Sequence, residues 1–238
     1  MRKIIFANGE YYHIYNRGVD KRDVFMNDDD YMRFLLCMNL LNDKNDGLML
    51  LWRDLQKNNQ SDPKAQPLAR QRLSLRNPIV EIIAYCLNPN HYHFILKQLE
   101  ENGITKFMHK LSTSYTMYFN KKYERSGALF QGKFKSIHID TNEYLLHLSA
   151  YVNNNNFIHG YDEEKDWQYS SYLNYVGKRN GKLCNKEVIL GQFKNQNNQG
   201  STLGAFKVEP FKNYQDFMDK TGEYFKDKKE LERYLLEY

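Results

Sequence analysis

Two apolar segments joined by a tight turn occupy the middle of this sequence and predict a β-hairpin. Residues 79–87 (IVEIIAYCL) have the nearly unbroken apolar character of a buried strand, an Asn-Pro-Asn turn follows at 88–90, and residues 91–97 form the second strand. Side chains two positions apart in a strand point to the same face, so His91 and His93 stand side by side. Two imidazoles on a rigid strand are a favourable start for a metal site.

Hydrophobic periodicity predicts further strands and helices on both sides of the hairpin. The predicted strands lie at 10–16 and 128–140, the second with a break at Gly132, and the predicted helices at 28–41, 103–123, 142–154, 167–176 and from 214 onward. The order strand, helix, hairpin, helix, strand, helix is typical of an antiparallel sheet with helices packed mainly on one face. We therefore predict an α+β fold with the ferredoxin-like arrangement.

The composition indicates a folded protein of a reducing compartment. Of the 238 residues, 41% are apolar and 26% are charged, so a packed core is expected. Cys37, Cys86 and Cys184 are odd in number and far apart, which argues against a disulfide framework and a zinc ribbon. No stretch approaches the ~18 apolar residues of a membrane span, and the first residues lack the apolar region of a signal peptide. We expect a cytoplasmic protein without a membrane partner.

Positive charge is concentrated in one part of the chain. The net charge is +5, and Glu124 is the single acid between positions 106 and 135. The basic residues of this segment are Lys106, Lys110, Lys121, Lys122, Arg125, Lys133 and Lys135. Such a run is a candidate surface for nucleic-acid phosphates, although a solvated helix face followed by a solvated strand would have the same composition.

The predicted helix that begins at 142 carries a tyrosine and an amide that would complete a metal-dependent site. Tyr151 and Asn155 are four positions apart and so share a helix face. If that face meets the histidine strand, two imidazoles and the Asn155 oxygen would hold a hard divalent ion, and the Tyr151 hydroxyl would attack a polarised phosphate. The same residues also fit structural histidines, an ordinary helix tyrosine and a run of asparagines that ends a helix.

Four segments, taken in order, give the chain a more specific signature. They are YHIYNRGVDKRDVFMNDDDYMRFL at 12–35, CLNPNHYHFIL at 86–96, YFNKKYERSGALFQGKFKS at 118–136, and YLLHLSAYVNNNN with FIHG at 144–160, followed by WQYSSYLNYVG at 167–177. With these motifs the chain resembles the single-tyrosine HUH transposases, and within them the REP-associated tyrosine transposase-like group. The similarity covers residues 10–177.

The resemblance implies an enzyme that nicks and rejoins single-stranded DNA, with a hairpin near the cut. The family's metal-binding histidines fall on His91 and His93, and its amide ligand falls on Asn155. Its nucleophile falls on Tyr151, which would become joined to the 5′ phosphate and leave a free 3′ hydroxyl. The implied ion is Mg²⁺ or Mn²⁺. The residues expected to approach DNA are Arg17, Lys121, Lys122, Arg125, Gln131, Lys133 and Lys135.

The family resemblance also sets expectations for organisation. Asn156 stands where the family pattern has a proline, and residues 42–77 are a polar insertion or long connection with some helical character. We assign residues 1–177 to a catalytic domain containing this insertion, and residues 178–238 to a helical C-terminal extension. A homodimer that exchanges the tyrosine helix and a chain that acts alone are both compatible with the sequence. The protein would associate with the nucleoid when bound to DNA.

Three other functions stay open at the level of sequence. A catalytically silent, domesticated relative would bind hairpin DNA without cutting it. A metal-dependent nuclease would use an activated water in place of Tyr151. A metal-free α+β protein would satisfy its paired histidines with hydrogen bonds.

Overall fold

The hairpin predicted from the sequence forms one half of a four-stranded sheet. The computed structural model describes residues 5–57, 65–161, 166–194, 202–203, 206–207 and 213–227. The strands of this sheet are β1 (Tyr11–Arg17), β2 (Val80–Asn88), β3 (His91–Gln98) and β4 (Lys135–Ile139). Their order across the sheet is β2-β3-β1-β4, and all neighbours are antiparallel. With helices between β1 and β2 and between β3 and β4, this order confirms the predicted ferredoxin-like α+β fold.

Helices connect and flank these strands. Those of the described residues are α1 (Asp28–Leu41), α2 (Leu48–Lys57), α3 (Ala65–Ser74), α4 (Gly103–Lys122), α5 (Asn142–Asn153), α6 (Asn155–Ile158), α7 (Tyr172–Tyr175), α8 (Glu187–Lys194) and α9 (Tyr214–Asp227). A 3₁₀ turn at Val19–Lys21 and a short ribbon of β5 (Thr202–Leu203) and β6 (Phe206–Lys207) complete the described elements. Within the described parts of the chain, no helix has the length and apolar character needed to cross a membrane.

One face of the sheet packs against α1 and α4. The even-numbered residues of β3 point to this face, and the rings of Tyr92 and Phe94 lie 5.6 and 6.3 Å from that of Phe34 on α1. All three side chains are fully buried, and burying one such ring stabilises the fold by about 1.5–3 kcal/mol. α1 has its predicted bounds because Asn27 caps it, accepting a 3.3 Å hydrogen bond from the Asp30 amide.

α5 crosses the opposite face, over the odd-numbered residues of β3, so helices cover both faces of the sheet, whereas the sequence predicts them mainly on one. Thr141 caps its first turn by accepting a 3.1 Å hydrogen bond from the Tyr144 amide. On α9, the Tyr214 hydroxyl accepts a 2.9 Å hydrogen bond from Asn153 and lies 3.1 Å from the Ser149 hydroxyl. In the predicted C-terminal extension, α9 therefore packs on α5, and the division at residue 177 stays a prediction.

The last strand of the sheet is shorter than predicted. β4 begins only at Lys135, although the sequence predicts extended structure from 128. The interruption falls at Gly132, which has a φ of +67°, a left-handed conformation that suits glycine and ends regular pairing. Before Gly132 in the chain, an isolated β-bridge pairs Phe130 with Gly18, which directly follows β1.

The helix predicted at 167–176 is also shorter, because the residues before α7 bind the edge of β2. The Trp167 indole donates a 2.8 Å hydrogen bond to the Leu87 carbonyl, and the Tyr85 amide donates one of 2.9 Å to the Ser171 hydroxyl. In the insertion predicted at 42–77, α2 and α3 supply the expected helical character. The predicted helical stretch at 226–238 lies outside the described residues beyond 227.

Candidate active site

The sheet face beneath α5 carries a group of histidines. His91 and His93 are neighbours on β3, with ring centroids 5.2 Å apart, and both are buried. The adjacent strand β1 adds His13 and Tyr15, whose rings lie 5.1 and 5.6 Å from that of His93. These side chains point the same way because β1 and β3 pair with Tyr15 opposite His93.

Neighbouring side chains contact the Nδ1 atom of each β3 histidine. Nδ1 of His91 lies 2.6 Å from the side-chain oxygen of Asn90, and because an amide oxygen only accepts, this nitrogen carries the proton. The amide nitrogen of Asn90 in turn donates a 3.1 Å hydrogen bond to the Lys21 carbonyl. Nδ1 of His93 lies 2.9 Å from Nε2 of His13. Histidines that bind metals through Nε2 commonly have such a partner on Nδ1.

Burial keeps the imidazole of His93 neutral. It lowers the pKa of His93 well below the ordinary value for histidine, and the nearby side chains of His159 and Arg17 act in the same direction. At neutral pH, His93 therefore presents a lone pair in place of a positive charge, as coordination of a metal requires.

Asn155 approaches the histidines from the helical side. Its side-chain oxygen lies 3.0 Å from Nε2 of His91, and the residue is fully buried. The sequence predicted Tyr151 and Asn155 on one helix, but α5 and α6 are separate helices joined at Asn154, which has φ −97° and ψ 4°. The Asn154 amide keeps a 2.9 Å hydrogen bond to the preceding turn, so the chain continues in nearly the same direction.

Tyr151 lies on α5 over the histidines. Its ring centroid is 5.5 Å from that of His93 and 6.3 Å from that of His13, and the ring is nearly perpendicular to both. The side chain is only 1% exposed, which shelters the phenol from bulk water. The tyrosine and the histidines of a single chain therefore lie close together.

The four asparagines at 153–156 do more than end a helix, since all four are buried. Asn153 and Asn154 donate hydrogen bonds of 2.9 and 3.0 Å to a hydroxyl and a carbonyl of α9. Asn155 instead turns its amide toward the histidines. Asn153 and Asn154 thus link α5 to α9 by hydrogen bonds, while Asn155 places its side-chain amide in the site.

The arrangement of donor atoms fits a hard divalent ion. Two ligands in adjacent positions of an octahedron with bonds of roughly 2.0–2.1 Å lie about 3 Å apart, and Nε2 of His91 is 3.0 Å from the Asn155 oxygen. Among the residues that the structure describes, no group of three or more His, Cys, Asp or Glu could hold a metal ion. An ion at this place therefore needs the amide oxygen in addition to the imidazoles.

The residues expected to approach DNA fall into two groups. Arg17, Gln131 and Lys135 line one small cleft together with His91 and His93. Arg17 pairs in register with His91, which explains why a cation borders the histidines. In this cleft, side chains suited to phosphate binding therefore lie beside the candidate metal ligands.

The second group lies near the end of α4. Arg125 lines a separate cleft with Lys21 and Arg22. The Lys122 ammonium is 2.8 Å from the buried Asp30 carboxylate, an ion pair that gives this lysine a structural partner. Lys121 and Lys133 are exposed, and their contact with DNA stays a prediction.

The sequence does not point to several polar residues of the site, among them His13, Asn88 and Asn90. In the sequence, Asn88 and Asn90 indicate only a turn, and His13 has no predicted role in the site. The alternation of β1 and the ferredoxin-like strand order together could have placed His13 beside His93, because that order makes β1 and β3 neighbours. No comparable signal points to the two asparagines, whose roles depend on side-chain orientation.

Comparison with known proteins identifies the class that this fold and site resemble. The family described as "Transposase IS200 like" matches residues 72–155, a range that contains His91, His93, Tyr151 and Asn155. The chain is thereby confirmed as similar to the IS200-like transposases, as its motifs predicted. No curated protein matches it with significance.

One similar solved structure is described as "Structure of the REP associates tyrosine transposase bound to a REP hairpin". It shares 14% sequence identity with this chain at a TM-score of 0.48, and the match covers 78% of this chain and 93% of that one.

Proposed function

We propose that this protein nicks and rejoins single-stranded DNA through a covalent phosphotyrosine at Tyr151. The observation that carries the proposal is the meeting of Tyr151 with His91, His93 and Asn155 in one chain, beside a cationic cleft. The match to the transposase family over the same residues supports it. The proposed substrate is single-stranded DNA with a hairpin near the cut.

In this proposal His91, His93 and Asn155 hold Mg²⁺ or Mn²⁺. When bound, such an ion polarises the scissile phosphate and offsets its charge. The Tyr151 oxygen attacks phosphorus, the bond from phosphorus to the 3′ oxygen breaks, and the phenolic proton is balanced by the proton that the 3′ hydroxyl gains. A 3′ hydroxyl later attacks the phosphotyrosine and restores the phosphodiester. One phosphodiester replaces another, so the reaction needs no nucleotide cofactor.

The remaining residues of the site position the DNA and exclude water. Arg17 and Lys135 supply cations and Gln131 an amide where the phosphates would enter. Tyr151 is only 1% exposed, so its phenol is sheltered from bulk water.

The proposal is tested with hairpin DNA taken from the repeats that flank the gene. Purified protein is incubated with Mn²⁺ and DNA labelled at its 3′ or its 5′ end, and the products are separated on a denaturing gel. A link to the 5′ phosphate should leave the 3′ label on the protein and the 5′ label on a shorter free fragment. Mass spectrometry of the tryptic peptide spanning 136–165 should then locate the nucleotide on Tyr151 and not on Tyr144 or Tyr161.

Other outcomes of this experiment would favour the rival functions. Cleavage without any label on the protein would indicate a nuclease that uses water. DNA that is retarded on a native gel and never cut would indicate a binding protein. A nucleotide attached to Tyr144 or Tyr161 would contradict the assignment of the nucleophile.

His13 should act as a positioning residue for the proposed ion, because its Nε2 lies 2.9 Å from Nδ1 of His93. A His13→Phe variant keeps a ring of similar size and loses this contact, and its affinity for Mn²⁺ should fall roughly 10- to 100-fold. Isothermal titration with Mn²⁺ measures the change. His138→Phe is the matched control, since His138 pairs with Glu10 away from the site; equal affinities in both variants would contradict the role of His13.

A further inference from the structure

A fourth side chain lies between the proposed metal ligands. Asn88 is the last residue of β2 and pairs in register with His91, so its side chain points to the histidine face. It is fully buried. Its amide nitrogen lies 2.9 Å from Nε2 of His91 and also donates a short hydrogen bond to the side-chain oxygen of Asn155. One NH₂ group therefore bridges the two atoms whose spacing fits a metal ion.

An NH₂ group and a divalent ion would satisfy these two atoms in the same way. The His91 nitrogen and the Asn155 oxygen both direct lone pairs toward the Asn88 nitrogen. An ion held by both atoms would lie between them, next to the Asn88 side chain. The Asn88 amide cannot keep its NH₂ group at that place once an ion has bound, because its protons would face a positive charge.

Little opposes a reorientation of this amide. Its oxygen lies 3.6 Å from the sulfur of Cys86, and a thiol is a weak hydrogen-bond donor. A half-turn about the last side-chain bond exchanges the oxygen and nitrogen of an Asn amide without moving the backbone. The half-turn would direct the Asn88 oxygen to the point between His91 and Asn155 and its nitrogen toward the polarizable sulfur of Cys86.

We propose that Asn88 is a further ligand of the divalent ion through its side-chain oxygen. This inference rests on the metal site of the proposed function. Two amide oxygens beside two imidazoles make a harder donor set than imidazoles alone, which suits Mn²⁺ and Mg²⁺.

The test is Mn²⁺ binding to the full chain without DNA, measured by isothermal titration and electron paramagnetic resonance. Asn88→Leu has a similar size and no oxygen, and it should weaken binding about 10-fold or more if Asn88 is a ligand. Asn88→Asp keeps an oxygen and has no NH₂ group, so it should bind Mn²⁺ at least as tightly as the wild type. If Asn88 only competes with the ion, Asn88→Leu should bind as tightly as the wild type or more tightly, and this result would overturn the inference.

The result also separates this inference from the proposed function. A wild-type chain that binds no Mn²⁺ at millimolar concentration would contradict both, whereas an unchanged Asn88→Leu affinity would contradict the role of Asn88 alone. If Asn88→Leu does not fold, nuclear magnetic resonance of the wild type decides. Titration with Mg²⁺ must shift the side-chain carbonyl carbon signal of Asn88 downfield, as coordination through its oxygen requires, and an unchanged carbonyl signal would overturn the proposal.

Discussion

A Tyr151→Phe variant should cleave hairpin DNA roughly 10³-fold or more slowly than the wild type, and it should form no covalent adduct. The substitution removes only the attacking oxygen. The phenyl ring can keep its packing against His93 and His13, from which the tyrosine ring lies 5.5 and 6.3 Å. The fold and the cationic cleft should therefore persist, and DNA binding on a native gel should change little.

The matched control for this prediction is Tyr144→Phe. Tyr144 lies seven positions earlier on α5 and is half-buried. Its variant should cleave within about twofold of the wild type. Cleavage by Tyr151→Phe within about tenfold of the wild type would exclude the phenol as nucleophile and leave an activated water as the attacking group.

The parts of the fold that the sequence predicts are those determined by local patterns. α1 has its predicted bounds because capping by Asn27, an acidic first turn and apolar spacing all agree on the same start and end. The two strands of the hairpin fall within one residue of their predicted ranges because an Asn-Pro-Asn turn separates two apolar runs. Periodicity also placed His91, His93 and Tyr151 on elements that meet.

The parts that the sequence did not predict depend on partners far along the chain. Asn153 and Asn154 appear polar in sequence, yet they are buried because α9 supplies acceptors about 60 residues later. The bridging role of Asn88 requires the register of β2 and β3 together with the break between α5 and α6. Local sequence patterns specify neither the register nor the helix break. A shift of one residue in the register of β2 would turn each of its side chains to the opposite face of the sheet.

The second large effect concerns stability, and it centres on Asp30. This carboxylate is fully buried near the start of α1, 2.8 Å from the Lys122 ammonium of α4. It also accepts hydrogen bonds of 3.0 and 2.7 Å from the hydroxyls of Tyr118 and Tyr123, and one of 2.9 Å from the Met26 amide. One side chain thus joins α1 to the end of α4.

An Asp30→Ala variant should lose about 3 kcal/mol of unfolding free energy, because several donors lose their acceptor at once. Chemical denaturation followed by circular dichroism measures the loss. Asp29→Ala is the matched control: the Asp29 side chain is 86% exposed and lies 3.9 Å from the same ammonium, so its removal should change stability by less than about 0.5 kcal/mol. Equal losses in the two variants would contradict the structural role of Asp30.

The same carboxylate should make stability depend on pH in the acid range. Burial alone raises the pKa of Asp30, but hydrogen bonds from Lys122, Tyr123, the Met26 amide and Tyr118 outweigh it, so the pKa lies below its ordinary value. Because the folded pKa is lower than the unfolded one, the ionised group stabilises the fold above about pH 4. This contribution is lost as the pH falls through the folded pKa.

Asp30→Asn isolates the contribution of the charge, because it keeps the shape of the side chain and removes the ionisation. Its unfolding free energy should fall less steeply than that of the wild type as the pH decreases below about 4. Denaturation series at several pH values give the two slopes. Identical slopes would show that Asp30 has the same pKa in the folded and unfolded chain, and they would contradict the contribution of its charge to stability.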